Sequence, residues 1–480
     1  MLFHQPFESR YRFESGGGNV YSPLVIIRLV QGGTVGVELR PVIAAVLLSL
    51  ALSPGPAFAD EVPLLTLEDA IHMAKAQNYQ LKNAGLQIDV VDAQKKAVAA
   101  KRYPQLSAQV HGLRNFEDNE YTFEEGSLGT VAGSPVPSSN VAIGTNSGFT
   151  THYSLTATQP LVGLYEINLN VDKLETEKEI ARQQSRQAEQ SVALQVKQLY
   201  YHILSSESTI AAATASVRFN EELVKILRDN VAAKTELEYQ LLNGEAQLAA
   251  ARHQLLADEN DMLTSKQQLN ALLGRNIATA FRVTPQGAEP EATYDTAVAA
   301  DQALANRPET QEARLQVKAA ETDLEINKSG YLPEVNLVAS YGRSEKTRLL
   351  PDESLYVGVL AKWDFFTWGA NENKVSGARL ALLQAQNALR DNEDQIRAEV
   401  SQNIRNLEVA RALVPVTELA KKAAEEALRV SFNQYKEKAI LLSDLLNAQS
   451  ELEDANDNYH QALLGVWNAS AALEQALGAE

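Results

Sequence analysis

Residues 101–112 read KRYPQLSAQVHG and residues 330–342 read GYLPEVNLVASYG. Both follow a long alanine-rich, helix-patterned run, and both pass through proline into alternation. Leu106, Ala108 and Val110 alternate in the first, and Val335, Leu337 and Ala339 in the second. Proline fixes its own φ and steers the residue before it out of the helical region, so Pro104 and Pro333 mark where helix gives way to strand. The recurrence of this junction, in the same order, predicts an internal duplication.

Outward from each junction the grammar repeats. A polar loop follows, near 115–150 in one half and near 343–354 in the other, and then a second strand. That strand is expected at 151–162 through TQPL to Gly163, and at 355–367 through WDFFTWG to Gly369. The first strands are expected near 104–114 and 333–342, giving four strands in two hairpins. After Gly163 and after Gly369 come helical tracts that close in Leu273-Gly274 and Leu477-Gly478. A continuous 60-residue helix would span ~90 Å, three times the ~30 Å apolar core of a bilayer, so these tracts belong beyond a membrane. A break near the middle would make each an antiparallel pair, with Pro415 bending the second before a turn near 438. The domains predicted are a preface and cleavable signal over 1–59, a first repeat over 60–280, a linker over 281–298 and a second repeat over 299–478.

The signal reading rests on Pro41–Ala59, PVIAAVLLSLALSPGPAFA, an apolar run after Arg40 that closes on Ala57-Phe58-Ala59. A membrane anchor is the other reading of this run, but proline interrupts it below the usual ~20-residue span. The chain has no cysteine, which excludes disulfides, thiolate chemistry and a lipidated N-terminal cysteine. Its 480 residues carry 43 Lys+Arg against 61 Asp+Glu, a formal net charge of −18 that disfavours nucleic acid as a partner. No later stretch is a long charge-free apolar run, so a polytopic helical membrane protein is excluded.

Four strands cannot close a useful barrel, yet every strand edge in lipid must be hydrogen-bonded. Closure then needs several chains; three would supply 12 strands. An apolar outer face and polar interior suit the alternation, and Tyr153, Tyr356, Trp363, Phe365, Phe366 and Trp368 are candidates for an aromatic belt at the lipid interface. The core of a small soluble sheet is the competing reading of the same residues.

At this point the chain resembles the TolC-like outer-membrane efflux family over residues 64–478. The resemblance lies in the ordered double occurrence of the opening helices, the Tyr103-Pro104 and Tyr331-Leu332-Pro333 junctions, the TQPL and WDFFTWG segments, and the tracts closing in Leu-Leu-Gly and Ala-Leu-Gly. It implies a mixed α/β membrane protein: a homotrimer with a 12-stranded β-barrel, four strands per chain, continued by a long periplasmic α-helical tunnel. It also implies partners, namely a periplasmic adaptor protein and an inner-membrane transporter, and a closed inner tip that opens when engaged. Cargo would pass without a chemical step and without a cofactor. The sequence carries neither a phosphate-binding Walker pattern nor an intramembrane helical proton relay.

The family's inner tip has a tyrosine, a glycine-containing turn, an aspartate-rich segment and Ala-Gln. Here the segment is YKEKAILLSDLLNAQ, Tyr435–Gln449. Asp444 matches the first gate aspartate, Asn447 stands in place of the second, and Lys438 stands where glycine is common. In the first repeat AAKTELEYQLLNGEAQL puts Lys234 at the glycine position and Gln240 near an acidic latch position, while the latch arginine's counterpart falls near Ile440. Asp444, Asn447 and Gln240 are therefore gate or selectivity candidates, and Lys234 and Lys438 adaptor-contact candidates. Ordinary solvated helix residues are the plainer reading of all five.

Other chemistry is thin. The seven histidines, among them His72, His111, His152, His202, His253 and His460, form no short metal-ligand motif. Acid pairs such as Glu117/Asp118 and Glu425/Glu426 suit a loop and a helix face better than a hydrolase site. An exported noncatalytic coiled-coil scaffold or adhesin is the alternative to a conduit; neither is an enzyme.

Overall fold

The computed structural model describes residues 63–116, 120–144, 148–285, 292–346 and 351–479. The expected signal at 41–59, the Glu117/Asp118 pair, and Gly287 and Pro290 of the linker lie outside the described residues. In chain order the elements are β1 (Leu64–Leu65), α1 (Leu67–Gln77), α2 (Tyr79–Ala99), β2 (Gln105–Asn115), β3 (Glu120–Phe123), β4 (Thr130–Val131), β5 (Ser134–Pro135), β6 (Val141–Gly144), β7 (Gly148–Pro160), α3 (Gly163–Ala232) and α4 (Glu238–Leu272). They continue with β8 (Arg282–Val283), α5 (Thr296–Asn306), α6 (Pro308–Ser329), β9 (Glu334–Glu345), β10 (Glu353–Lys362), α7 (Ala370–Lys436) and α8 (Leu442–Ala476). Each half thus runs helix, helix, strand, strand, long helix, shorter helix. The first strand loop carries β3 to β6 in addition, and β1 pairs with β8 in parallel, so part of the 281–298 segment is strand.

Both halves use side chains to turn the chain between their two opening helices. Thr66 caps α1 by accepting from the Asp69 N–H, and Asn78 caps α2 by accepting from the Gln80 and Leu81 N–H groups. Asn78 Nδ2 also donates to the Leu272 carbonyl at 2.8 Å, which ties this corner to the end of α4. The matching corner at Arg307-Pro308 uses proline in the first turn of α6. Its guanidinium, 7% exposed, bonds Glu309 and reaches Glu399 of α7 at 2.6 Å.

The long tracts break late. Helices α3 and α7 have 70 and 67 residues, and α4 and α8 have 35 each, so the break falls two-thirds of the way along and not in the middle. Pro415 does not end or turn α7. The helix runs through it to Lys436, and Thr417 Oγ1 donates to the Leu413 and Val414 carbonyls nearby. The chain reverses at the expected place near 438, where Lys438 adopts the left-handed conformation. The terminal Leu-Leu-Gly and Ala-Leu-Gly signals are Schellman ends. Gly274 (φ 69°) and Gly478 (φ 76°) are left-handed, and the N–H groups of Arg275 and Ala479 reach back to the Asn270 and Glu474 carbonyls.

Among the described residues the core forms three patches along the helices. One gathers α1, α3, α4 and β8 around Tyr200, whose buried hydroxyl lies 3.0 and 2.9 Å from the Leu65 and Thr284 carbonyls. A second packs Ile396, Val400, Ile404 and Leu407, a one-face stripe of α7, against Ala299, Ala303 and Leu473. The third lies at the turns 233–237 and 437–441. Buried apolar side chains of this size contribute about 1.5–3 kcal/mol each. Among the described residues no helix is long and apolar enough to cross a membrane.

Four strands form one antiparallel sheet in the order β10-β9-β7-β2, two hairpins joined through β7 and β9. Helix α2 packs on α3, α3 on α6 and α6 on α7. The row α7-α6-α3-α2 therefore follows the order of the strands that these helices enter or leave. Lys178–Asp92 and Lys173–Asp323, both 2.7 Å, lace neighbouring helices of the row. Lys178 and Lys96 beside Asp92 hold its carboxyl far below the usual carboxylate range. Within the chain, both row and sheet end in open edges, at α2 with β2 and at α7 with β10.

Candidate functional site

Cross-strand register sorts the sheet into two faces, because directly paired residues point the same way. One face carries Leu106–Ala157–Ala339–Val357 and Ala108–Leu155–Tyr341–Leu355 as successive rungs across all four strands. Leu106, Leu355 and Val357 are 75%, 76% and 69% exposed. Such a broad exposed apolar surface marks a face built to meet something other than water. The opposite face has the rung Ser107–Thr156–Ser340–Tyr356, with the Thr156 and Ser340 hydroxyls 3.1 Å apart.

This sorting corrects the aromatic candidates. Tyr153 pairs with Val110 and Arg343 and sits on the apolar face, but Tyr356 pairs with Ser340 and sits on the polar one. Three large neighbours, Leu355, Tyr356 and Val357, hide the alternation that would reveal this. Trp363, Phe365, Phe366 and Trp368 are not on a strand either. β10 ends at Lys362, and Trp368 (φ 53°) and Gly369 (φ 81°), both left-handed, turn the chain into α7. All four rings are exposed, and Trp363 Nε1 donates to the Tyr331 carbonyl. With Tyr103, Tyr165 and Tyr331, also exposed, they form an aromatic collar at the strand-to-helix junctions. Sequence reasoning used Tyr103 and Tyr331 only as junction markers; their double occurrence beside proline was the signal available.

The other end of the helices holds the remaining candidates. Lys234 (φ 55°) and Lys438 (φ 58°) are left-handed, with Thr235 and Ala439 N–H groups reaching back to the Asn230 and Gln434 carbonyls. These are the helix-ending positions that favour glycine. The two turns share one apolar cluster, in which Leu223, Leu227 and Leu241 of the first half meet Tyr435, Ile440, Leu442 and Leu445 of the second. Ile440, at the latch-arginine position, contributes packing there and no charge. Asp444 is exposed in the first turn of α8, and its Oδ2 accepts from the Leu441 N–H at 3.2 Å. Asn447 is exposed one turn further along. Gln240 lies in the first turn of α4, with its Oε1 buried and without a hydrogen-bond partner among the described residues. Burial pushes the Tyr435 hydroxyl up to about 12, with Glu236 adding to the rise.

One inter-repeat contact lies beyond anything the sequence marks. Ser216 of α3 donates to Glu453 of α8 at 2.5 Å, and Gln449 Nε2 reaches both, at 3.2 and 3.1 Å. This polar node, just above the tip cluster, joins α3 of the first half to α8 of the second. No short motif distinguishes these residues from the many other polar ones on the same helices.

The comparisons with known proteins agree with this geometry. The family model described as outer membrane efflux protein matches residues 70–275 and 299–479. The outer membrane efflux protein BepC of Brucella suis biovar 1 (strain 1330) is 24% identical over 323 residues, covering 67% of this chain and 70% of that protein. The fold is similar to that of the outer membrane protein VceC of Vibrio cholerae, with TM-score 0.69, 18% identity, and coverage of 86% of this chain and 96% of that one. It is also similar to the Campylobacter jejuni CmeC outer membrane channel, with TM-score 0.70, 14% identity, and coverage of 86% and 85%. The Neisseria gonorrhoeae MtrE outer membrane channel in its open state gives TM-score 0.66 at 18% identity, covering 86% and 89%.

Proposed function

The chain belongs to the outer membrane efflux protein family, and from that premise we propose that it is the passive outer-membrane and trans-periplasmic exit channel of a tripartite efflux or type I secretion system. The observation that carries this is the four-stranded sheet continued by a row of four helices, both open at the same two edges. An open strand edge is intolerable in lipid, and copies of the chain joined β2 to β10 remove it. Three copies make a 12-stranded barrel with the apolar face toward lipid, the aromatic collar at the membrane's inner boundary and the helical rows prolonged as a tunnel.

Cargo enters from an inner-membrane transporter through an adaptor docked on the tip, where Lys234 and Lys438 offer ammonium groups at exposed turns. Three copies of Asp444 ring the entrance, attracting cations and repelling anions more strongly in a narrow pore than in bulk water. Asn447 and Gln240 supply polar contacts beside that ring. Opening is a population shift, driven by a partner that binds the open arrangement better than the closed one. No step makes or breaks a covalent bond; the partner supplies the energy.

Purified protein reconstituted in planar bilayers is expected to give discrete, cation-preferring single-channel currents, and native mass spectrometry a trimer. Soluble, nonconducting material would overturn the reading.

A further inference from the structure

Among the histidines that look scattered in the sequence, two meet in the sheet. His111 of β2 is the direct cross-strand partner of His152 of β7, on the polar face. Directly opposed residues hold their Cβ atoms ~4.5–5.5 Å apart. That separation lets two imidazoles converge on one ion at nitrogen–metal distances of ~2.0–2.1 Å. Nδ1 of His152 lies 2.8 Å from the Ser344 hydroxyl on β9, so one ring nitrogen is held by the neighbouring strand and Nε2 is left for a ligand. Ligating histidines are commonly oriented by such a hydrogen bond on the other nitrogen.

We propose that His111 and His152 form a binding site for a divalent transition-metal ion of the zinc and copper class. The ligand type decides the class. Imidazole suits zinc and copper, whereas magnesium and calcium take oxygen ligands, several of them at once. The rungs on either side, Gln109 with Ser154 and Leu113 with Thr150, bring no carboxylate to this face. The nearby charges Arg114, Arg343 and Glu345 belong by register to the opposite face, and Asp352, opposite Ser344, lies two strands away from His152. That the site opens into a channel lumen rests on the function proposed above; the pairing of the imidazoles does not.

Zinc(II) titrated calorimetrically into the purified full-length protein is expected to fill one more site per chain in the wild type than in a His111→Asn/His152→Asn double variant. Copper(II) used as a spectroscopic probe should show nitrogen coupling from two imidazoles in the wild type that is lost in the variant. The single variants His111→Asn and His152→Gln, which keep a polar group on the face, should each weaken zinc by a factor on the order of ten or more. Equal stoichiometry and affinity in wild type and variants overturn the site. In bilayers zinc should reduce the wild-type current and leave the double variant's unchanged. A protein that binds zinc at this pair and never conducts sinks the channel reading while the site stands.

Discussion

Lys234 and Lys438 hold the same left-handed backbone conformation, φ 55° and 58°, at equivalent turns of the two halves. A residue with a Cβ carries a cost of about 1–2 kcal/mol there. Glycine's greater freedom in the unfolded chain takes back about 0.5–1 kcal/mol. Lys234→Gly or Lys438→Gly is therefore expected to raise stability by roughly 0.5–1 kcal/mol, read in denaturant unfolding, while valine at either place lowers it. If the ammonium groups dock an adaptor, the glycine variants will be more stable and bind it less tightly. A glycine variant that loses stability would contradict the strain argument.

Asp444 has two separable parts to play. As a helix-start acceptor its removal costs about 1 kcal/mol, and Asp444→Asn keeps an acceptor oxygen that Asp444→Ala does not. As a pore charge it is absent from both. Reversal potentials in asymmetric salt should move toward lower cation preference in both variants, and stability should fall mainly in the alanine one. Unchanged selectivity in the pair leaves Asp444 a capping residue and nothing more.

Gly274 admits no side chain. A Cβ there would lie 2.6 Å from the Gln77 carbonyl oxygen, and its φ of 69° is already left-handed. The obstacle is backbone, which cannot swing aside. Gly274→Ala should destabilise by about 2 kcal/mol or more and separate the α1–α2 corner from the end of α4, seen as faster amide exchange around Asn78.

Asp457 gives a pH signature. Burial raises its carboxyl pKa, and Asp258, Asp454 and Glu453 nearby raise it further. A raised acid binds its proton more tightly when folded, so it favours the fold below its ordinary pKa of about 3.9 and loses that contribution as pH climbs through the folded value. Asp457→Asn should therefore be more stable than wild type at pH 7, with the advantage shrinking on acidification. A constant difference between pH 3 and 7 would show that the carboxyl's charge is not the cause.

Much of the architecture can be read from sequence because its markers are local. Proline at 104 and 333 sets the helix-to-strand steps, and glycine at 274 and 478 sets the helix ends. Features that depend on pairing are hidden. Trp363–Trp368 read as strand because aromatics suit a pleated surface, yet Gly369 and a left-handed Trp368 turn the chain. The face of Tyr356 and the meeting of His111 with His152 are questions of register, which no single segment contains. Pro415 lies inside α7, because a long, well-packed helix tolerates one missing N–H, and Ile440 shows that packing at the tip can stand where a charge was expected. The Ser216–Glu453 node joins residues from opposite halves and leaves no mark in either.

Strands β2 and β10 never meet within one chain, although each presents the backbone groups that the other lacks. In the trimer proposed above they lie side by side where one copy meets the next. Under that pairing, a change in the length or shape of residues 105–115 is answered in residues 353–362, the far strand of the other repeat. Inside one chain the halves already constrain each other through β7 with β9, α3 with α6 and the tip cluster; the β2–β10 seam adds a constraint that only copies can satisfy, and a genetic suppressor of a β2 defect is most usefully sought in β10.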